Sequence, residues 1–224
     1  MIFFLLLAAA PVEPPAIKNA QQLLLVVADD WNTKTAKLQR FKRITRGWEE
    51  VTPPIEVVLG ENGLAWSRGV LLAKGFGGVA KKLGDDRSVA GVFSLGKIRG
   101  YEDKGPPGSA AELDQITEST VCVDDPKSKK FGEIVDEKKT KIDWKHAKKL
   151  RTEDLAYAWM IPVQTTGCIA FHLWTAPNQS DDASIVMKAE DLQTLVRWVV
   201  PASAVYVALP KQAYIGLKAS WRLP

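Results

Sequence analysis

The stretch Gln21-Gln-Leu-Leu-Leu-Val-Val-Ala28 decides the fold class. It is an apolar run of strand length with no helical or alternating period, so it reads as a strand buried on both faces. Asp29-Asp30-Trp31-Asn32 is a turn, and Thr35–Thr45 spaces Leu38, Phe41 and Ile44 among lysines and arginines as the second strand of a hairpin. Further short strands are expected at Ile55–Leu59 (after Pro53-Pro54), Ala90–Leu95, Thr120–Val123, Tyr157–Val163, Gly167–Trp174 and Ala204–Leu209. The clearest helix is Lys188–Val199, with Leu192, Leu195, Val196 and Val199 on one face and Glu190 and Asp191 in its first turn. Strands dominate and no βαβ alternation is present. The expected class is mainly β or α+β, a β-sandwich or open barrel of short strands with one or two packed helices.

The chain has 224 residues, enough for one domain with a sizeable core. Its formal net charge of +4 is mild. It suits an anionic envelope polymer or nucleic acid equally, and selects neither. Ile2–Ala10 is an unbroken apolar run too short to span a bilayer. Small residues and prolines follow it, so an exported chain with a leader is expected, with residues 11–20 as a linker. The two cysteines, Cys122 and Cys168, permit one disulfide in an exported protein or two buried thiols in a cytosolic one. A bridge would stabilise the fold by roughly 3–4 kcal/mol. Two cysteines and two histidines without ligand spacing argue against a metal site. The glycine-rich segment 60–91 contains Gly75-Phe76-Gly77-Gly78 but lacks the Gly-Lys-Ser/Thr ending of a phosphate loop, and no cofactor is expected. Residues 127–151 are dense in lysine and read as a solvated loop and helix face. With only Phe131 and Trp144 among the charges, they do not suggest nucleic-acid binding.

Chemistry is suggested by Cys168-Ile-Ala-Phe-His172-Leu-Trp174 followed by Asp181-Asp182-Ala183-Ser184-Ile185-Val186-Met187. A strand delivers a histidine to a loop, and a hydroxyl nucleophile follows on the next turn. This is a layout for acyl transfer.

Six segments in order carry a family resemblance: Gln22–Trp31 with Leu38–Phe41; Val58–Gly69, including Gly60-Glu-Asn62-Gly63 and Trp66-Ser-Arg68-Gly69; Gly84-Asp-Asp-Arg87-Ser-Val-Ala-Gly91-Val-Phe93; Thr120–Pro126; Asp143-Trp144-Lys145; and Gly167–Trp174. Together they resemble the L,D-transpeptidase catalytic domain, of YkuD type, over roughly residues 20–210. The resemblance implies a YkuD-like domain over 17–224 behind a leader over 1–16. It also implies residence in the periplasm or cell envelope and acyl transfer on peptidoglycan stem tetrapeptides through a cysteine thioester. No nucleic acid, and no membrane beyond the leader, is implied as a partner. His172 falls on the family histidine, and Cys122 and Cys168 on a cysteine pair that resembles a disulfide. Arg87 is implied as a partner for a substrate carboxylate, and Trp174 as a groove residue.

At the family's usual spacing the nucleophilic cysteine falls on Ser184, the preceding glycine on Ala183 in the oxyanion region, and a Thr/Ser on Asp181. A serine needs a well-oriented base where a thiolate does not. Ala183 adds a Cβ where positive φ or close approach is expected. Asp181 is expected to set a negative charge near the oxyanion. Two readings follow: an acyltransferase working through Ser184, or a non-catalytic pseudoenzyme that binds peptidoglycan or a protein partner.

Overall fold

The computed structural model describes residues 13–69 and 75–224; Ile2–Ala10 lies outside them. In chain order the strands are β1 (Gln22–Ala28), β2 (Thr35–Ile44), β3 (Gly47–Val58), β4 (Leu64–Trp66), β5 (Ser88–Ser94), β6 (Ile98–Gly100), β7 (Leu113–Gln115), β8 (Thr120–Val123), β9 (Ile134–Asp136), β10 (Ala147–Lys149), β11 (Trp159–Pro162), β12 (Ala170–Leu173), β13 (Ile185–Met187) and β14 (Ala204–Pro210). Three α-helices accompany them: α1 (Pro15–Asn19), α2 (Ala189–Trp198) and α3 (Lys211–Trp221). The class is mainly β, as the run of strands implies. One mixed sheet has the order β4-β5-β14-β1-β2-β3-β13-β12-β11-β6-β7, and a small sheet has the order β10-β8-β9.

β1 explains its own composition. Leu24, Val26 and Ala28 enter one core, which also holds α2, while Leu23 and Leu25 enter a second core on the opposite face, under α1 and α3. Both faces are covered, so alternation is absent. Helix α2 contributes Leu192, Leu195 and Val196, all fully buried, each worth roughly 1.5–3 kcal/mol of burial as an upper bound.

Three expectations change. Residues 15–19 form a helix whose Ile17 is fully buried, not a linker. Pro53-Pro54 does not divide two strands, because β3 runs through both. The β2–β3 register shifts between Leu38 and Arg40, opposite these prolines, so the missing N–H groups fall at an irregularity and not in the ladder. Residues 127–151 contain β9 and β10 instead of a helix face. They pair on either side of β8, whose residues are all buried. Helix α3 was not anticipated. Its buried face is only Ala213, Leu217 and Trp221, and Gly216 interrupts its helical character. That glycine lets the Phe76 ring lie against the helix, where an added Cβ would meet Phe76 Cε1 at 2.2 Å.

The small sheet lies over one face of β11 and β12. Cys122, Leu150, Tyr157, Met160 and Ala170 form a third core between them. The Cys122–Cys168 disulfide crosses this layer, joining β8 to the residues that lead into β12, with Cα atoms 5.9 Å apart. No helix among the described residues is long and apolar enough to cross a membrane.

Candidate functional site

β12 and β13 pair in parallel, with Phe171 opposite Ile185 and His172 opposite Val186. Phe171 and Ile185 point into the main core. By the two-residue period of a strand, Ala170 and His172 point to the other face, toward the small sheet. Ser184, one residue before Ile185, sits beside Ala170. The sequence-predicted histidine and serine are therefore brought to one face of neighbouring strands.

Their side chains nonetheless serve different partners. His172 is fully buried, its ring 4.5 Å from that of Tyr157. Nδ1 lies 2.9 Å from the Leu173 carbonyl. Nε2 lies 3.0 Å from Asp181 Oδ2 but out of line with a ring N–H, so that contact is electrostatic more than a directed hydrogen bond. Both ring nitrogens thus face oxygen atoms, of Leu173 and Asp181. No ring lone pair is directed at Ser184. Ser184 is 2% exposed, and its Oγ accepts the Ala170 N–H at 3.3 Å. Its carbonyl accepts from the Ser88 hydroxyl at 3.0 Å, and Ser88 Oγ in turn accepts the Gly60 N–H. The serine is tied into strand and loop structure through both its side chain and its carbonyl.

Asp181 takes a place different from the expected one. Its carboxylate does not face an open oxyanion position but accepts from Tyr157 Oη at 3.2 Å and Lys148 Nζ at 3.3 Å, beside His172. The His172 contact outweighs the opposing effect of burial and, with Lys148, holds the Asp181 carboxyl well below the usual carboxylate range. Burial alone would lower Lys148, but Tyr157, Asp181 and Asp182 outweigh it and raise the ammonium. Burial raises the Tyr157 hydroxyl. The result is a polar quartet of His172, Asp181, Lys148 and Tyr157 beneath the small sheet. Lys148 and Tyr157 were missed in the sequence: Lys148 is hidden in the lysine-rich run, and a strand tyrosine carries no distinguishing pattern.

Positive φ in this turn falls on Asp182, at 47°, and not on Ala183. The Ala183 Cβ therefore meets no backbone penalty, and the residue lines a cavity of about 800 Å³. Trp66, Arg68, Lys82, Phe131, Lys148 and Cys168 also line it. A second cavity, of about 280 Å³, lies behind Gly167–Ile169 and shares Lys148 and those three residues with the first.

Arg87 is directed elsewhere. Its guanidinium donates to the carbonyls of Trp31 (2.9 Å) and Leu64 (3.1 Å) and to Asn32 Oδ1 (2.9 Å). It thereby clamps the β1–β2 turn to β4. Gly63 completes this clamp, with φ of 81° and a position where a Cβ would lie 2.3 Å from the Trp31 carbonyl. Trp174 is half-buried, donates its backbone N–H to Met187 O and is not a wall of either cavity. Among the described residues no cluster of His, Cys, Asp or Glu is arranged to hold a metal ion. No family model, characterised protein or solved structure matches this chain.

Proposed function

We propose that this chain is a divergent L,D-transpeptidase-type domain that recognises peptidoglycan stem peptides in the cell envelope without transferring them. The observation that carries the reading is the separation of the two reactive groups. Ser184 is buried and holds the Ala170 N–H, while His172 is engaged by Leu173 O and Asp181. A hydroxyl nucleophile needs a base lone pair within hydrogen-bond reach, and none is directed to it. The adjoining cavity of about 800 Å³ has room for a short peptide, and its walls include Arg68, Lys82 and Lys148 against Asp86, Asp124 and Asp182. That mixture suits a ligand carrying both amines and carboxylates. The ordered segment resemblance supports the peptide class, and the disulfide supports an oxidising compartment.

A second reading, acyl transfer by Ser184 itself, draws on the placement of Ser184 and His172 on one face of β12 and β13. Titration calorimetry with purified stem tetrapeptide, followed by mass spectrometry of the mixture, separates the two. Saturable binding with no released D-alanine supports recognition. Release of D-alanine by the parent and its loss in Ser184→Ala would refute it and establish the enzyme.

A further inference from the structure

We propose that two loops at the end of the small sheet form a docking surface for an anionic polysaccharide. The two loops, 125–130 and 141–146, line neither cavity, although Asp124 and Phe131 beside them do, and the proposal does not rest on the peptide reading. Residues 124–151 hold ten Lys/Arg against six Asp/Glu, which leaves twenty of each in the rest of the chain. The whole net charge of +4 is therefore located here.

The fold sharpens that asymmetry. Asp125 accepts the backbone N–H groups of Lys127 (2.9 Å) and Lys145 (2.8 Å). Asp143 accepts the Lys129 N–H at 3.1 Å and the Ser128 hydroxyl. These two carboxylates staple loop 125–130 to loop 141–146 with acceptor oxygens turned to the backbone, while the side chains of Lys127, Lys129, Lys141 and Lys145 are exposed. Elsewhere in the segment Glu133 pairs with Lys130, Asp136 with Lys139, Lys148 with Asp181 and Asp182, and Arg151 with Glu118. Asp124 and Glu137 remain unpaired. So do Lys127, Lys129, Lys138, Lys141, Lys145 and Lys149, none of which has a carboxylate at ion-pair distance among the described residues.

Stapled loops present cations at fixed spacing, which lowers the ordering cost of binding a repeating anion. The partner's class follows from what accompanies the lysines. Base stacking needs exposed aromatics, and the segment has only Phe131 and Trp144, both half-buried. Bilayer insertion needs an apolar face, and the stapled loops offer only Ile142, 57% exposed. The Cys122–Cys168 disulfide belongs to compartments outside the reducing cytosol, where anionic glycans are the abundant polyanions.

Fluorescence anisotropy of the full chain with fluorescein-labelled polygalacturonate over a salt series tests this. The parent should bind saturably, and Lys→Gln at 127, 129, 141 and 145 together should weaken binding by about tenfold or more, with the log–log salt slope falling by about 3. A control with Lys→Gln at 37, 104, 211 and 218 removes the same charge and should bind as the parent does. Lys→Arg at the four loop positions should retain binding, and circular dichroism checks that every variant is folded. The proposal is overturned if the parent shows no saturable binding, or if the control loses as much as the loop variant. It is also overturned if oligothymidylate or phosphatidylglycerol vesicles of matched charge bind more tightly than the glycan.

Discussion

Replacing Asp181 with asparagine preserves shape and removes one charge from the quartet. In the parent, Asp181 faces His172 at 3.0 Å and Lys148 at 3.3 Å, with 30% of its side chain exposed and that of Lys148 28% exposed. Leaving a fully buried charge without its partner costs about 3–5 kcal/mol. Partial exposure of both Asp181 and Lys148, and the second carboxylate at Asp182 that remains for Lys148 at 3.1 Å, reduce this. We expect Asp181→Asn to lose about 2–3 kcal/mol at neutral pH. In a chain of this length that corresponds to about 5–10 °C in Tm. The sign of the pH dependence follows from the depressed carboxyl. Asp181 contributes stability above the ordinary carboxylate range near pH 4, and the contribution is lost as pH falls through its lower folded value. Urea unfolding of parent and variant between pH 7 and pH 2 should therefore show a gap that narrows below about pH 4. A loss under about 0.5 kcal/mol, or a gap unchanged at low pH, would show that the quartet is not an ion cluster.

Ser184→Ala should lower stability by about 1–2 kcal/mol in urea, because the Ala170 N–H loses its acceptor in a buried position; a neutral result would mean that this bond is not formed. Arg87→Ala should lower stability by about 2–3 kcal/mol through loss of three hydrogen bonds while leaving stem-peptide affinity within about twofold, read by calorimetry. A large affinity loss in a folded Arg87→Ala protein would return Arg87 to the ligand. Reducing the disulfide, or replacing both cysteines with serine, should remove about 3–4 kcal/mol. Hydrogen exchange should localise the loosening to β8–β10 and the approach to β12.

The strands most plainly legible in the sequence are those whose residues have one environment throughout, although the mixed β2 is also legible from its spaced Leu38 and Phe41. β1, β5 and β14 are buried along nearly their whole length, so apolar runs mark them plainly. β9 and β10 are not legible, because three-residue strands set in a lysine-rich segment look like a solvated loop until a neighbour covers one face. The candidate site divides the same way. The placement of His172 and Ser184 on one sheet face follows from strand spacing. The direction of each side chain depends on Asp181, Lys148 and Tyr157, which come from three separate segments. Asp181 in particular changed meaning once its partners were known, from an obstacle to an oxyanion to one member of a neutralised cluster. The resemblance implied a substrate carboxylate for Arg87; its guanidinium is instead occupied by the Trp31 and Leu64 carbonyls and Asn32 Oδ1, groups from two segments distant in sequence.

The position of β14 has a consequence for the order in which the chain acquires its structure. β14 lies between β1 and β5 and pairs with both, through Gln22↔Ala204 on one side and Val205↔Ser94 on the other. Until residues 204–210 exist, β5 lacks its long ladder partner, although the Gln164 N–H still donates to Ser94 O and the Gly96 N–H to Pro162 O, and β1 keeps one open edge. A chain lacking residues 204–210 therefore exposes the facing edges of β1 and β5, which can pair with other chains. β14 joins the long ladders of β1 and β5, so completion of this part of the sheet waits on synthesis of residues 204–210, a high-contact-order route that favours slow assembly.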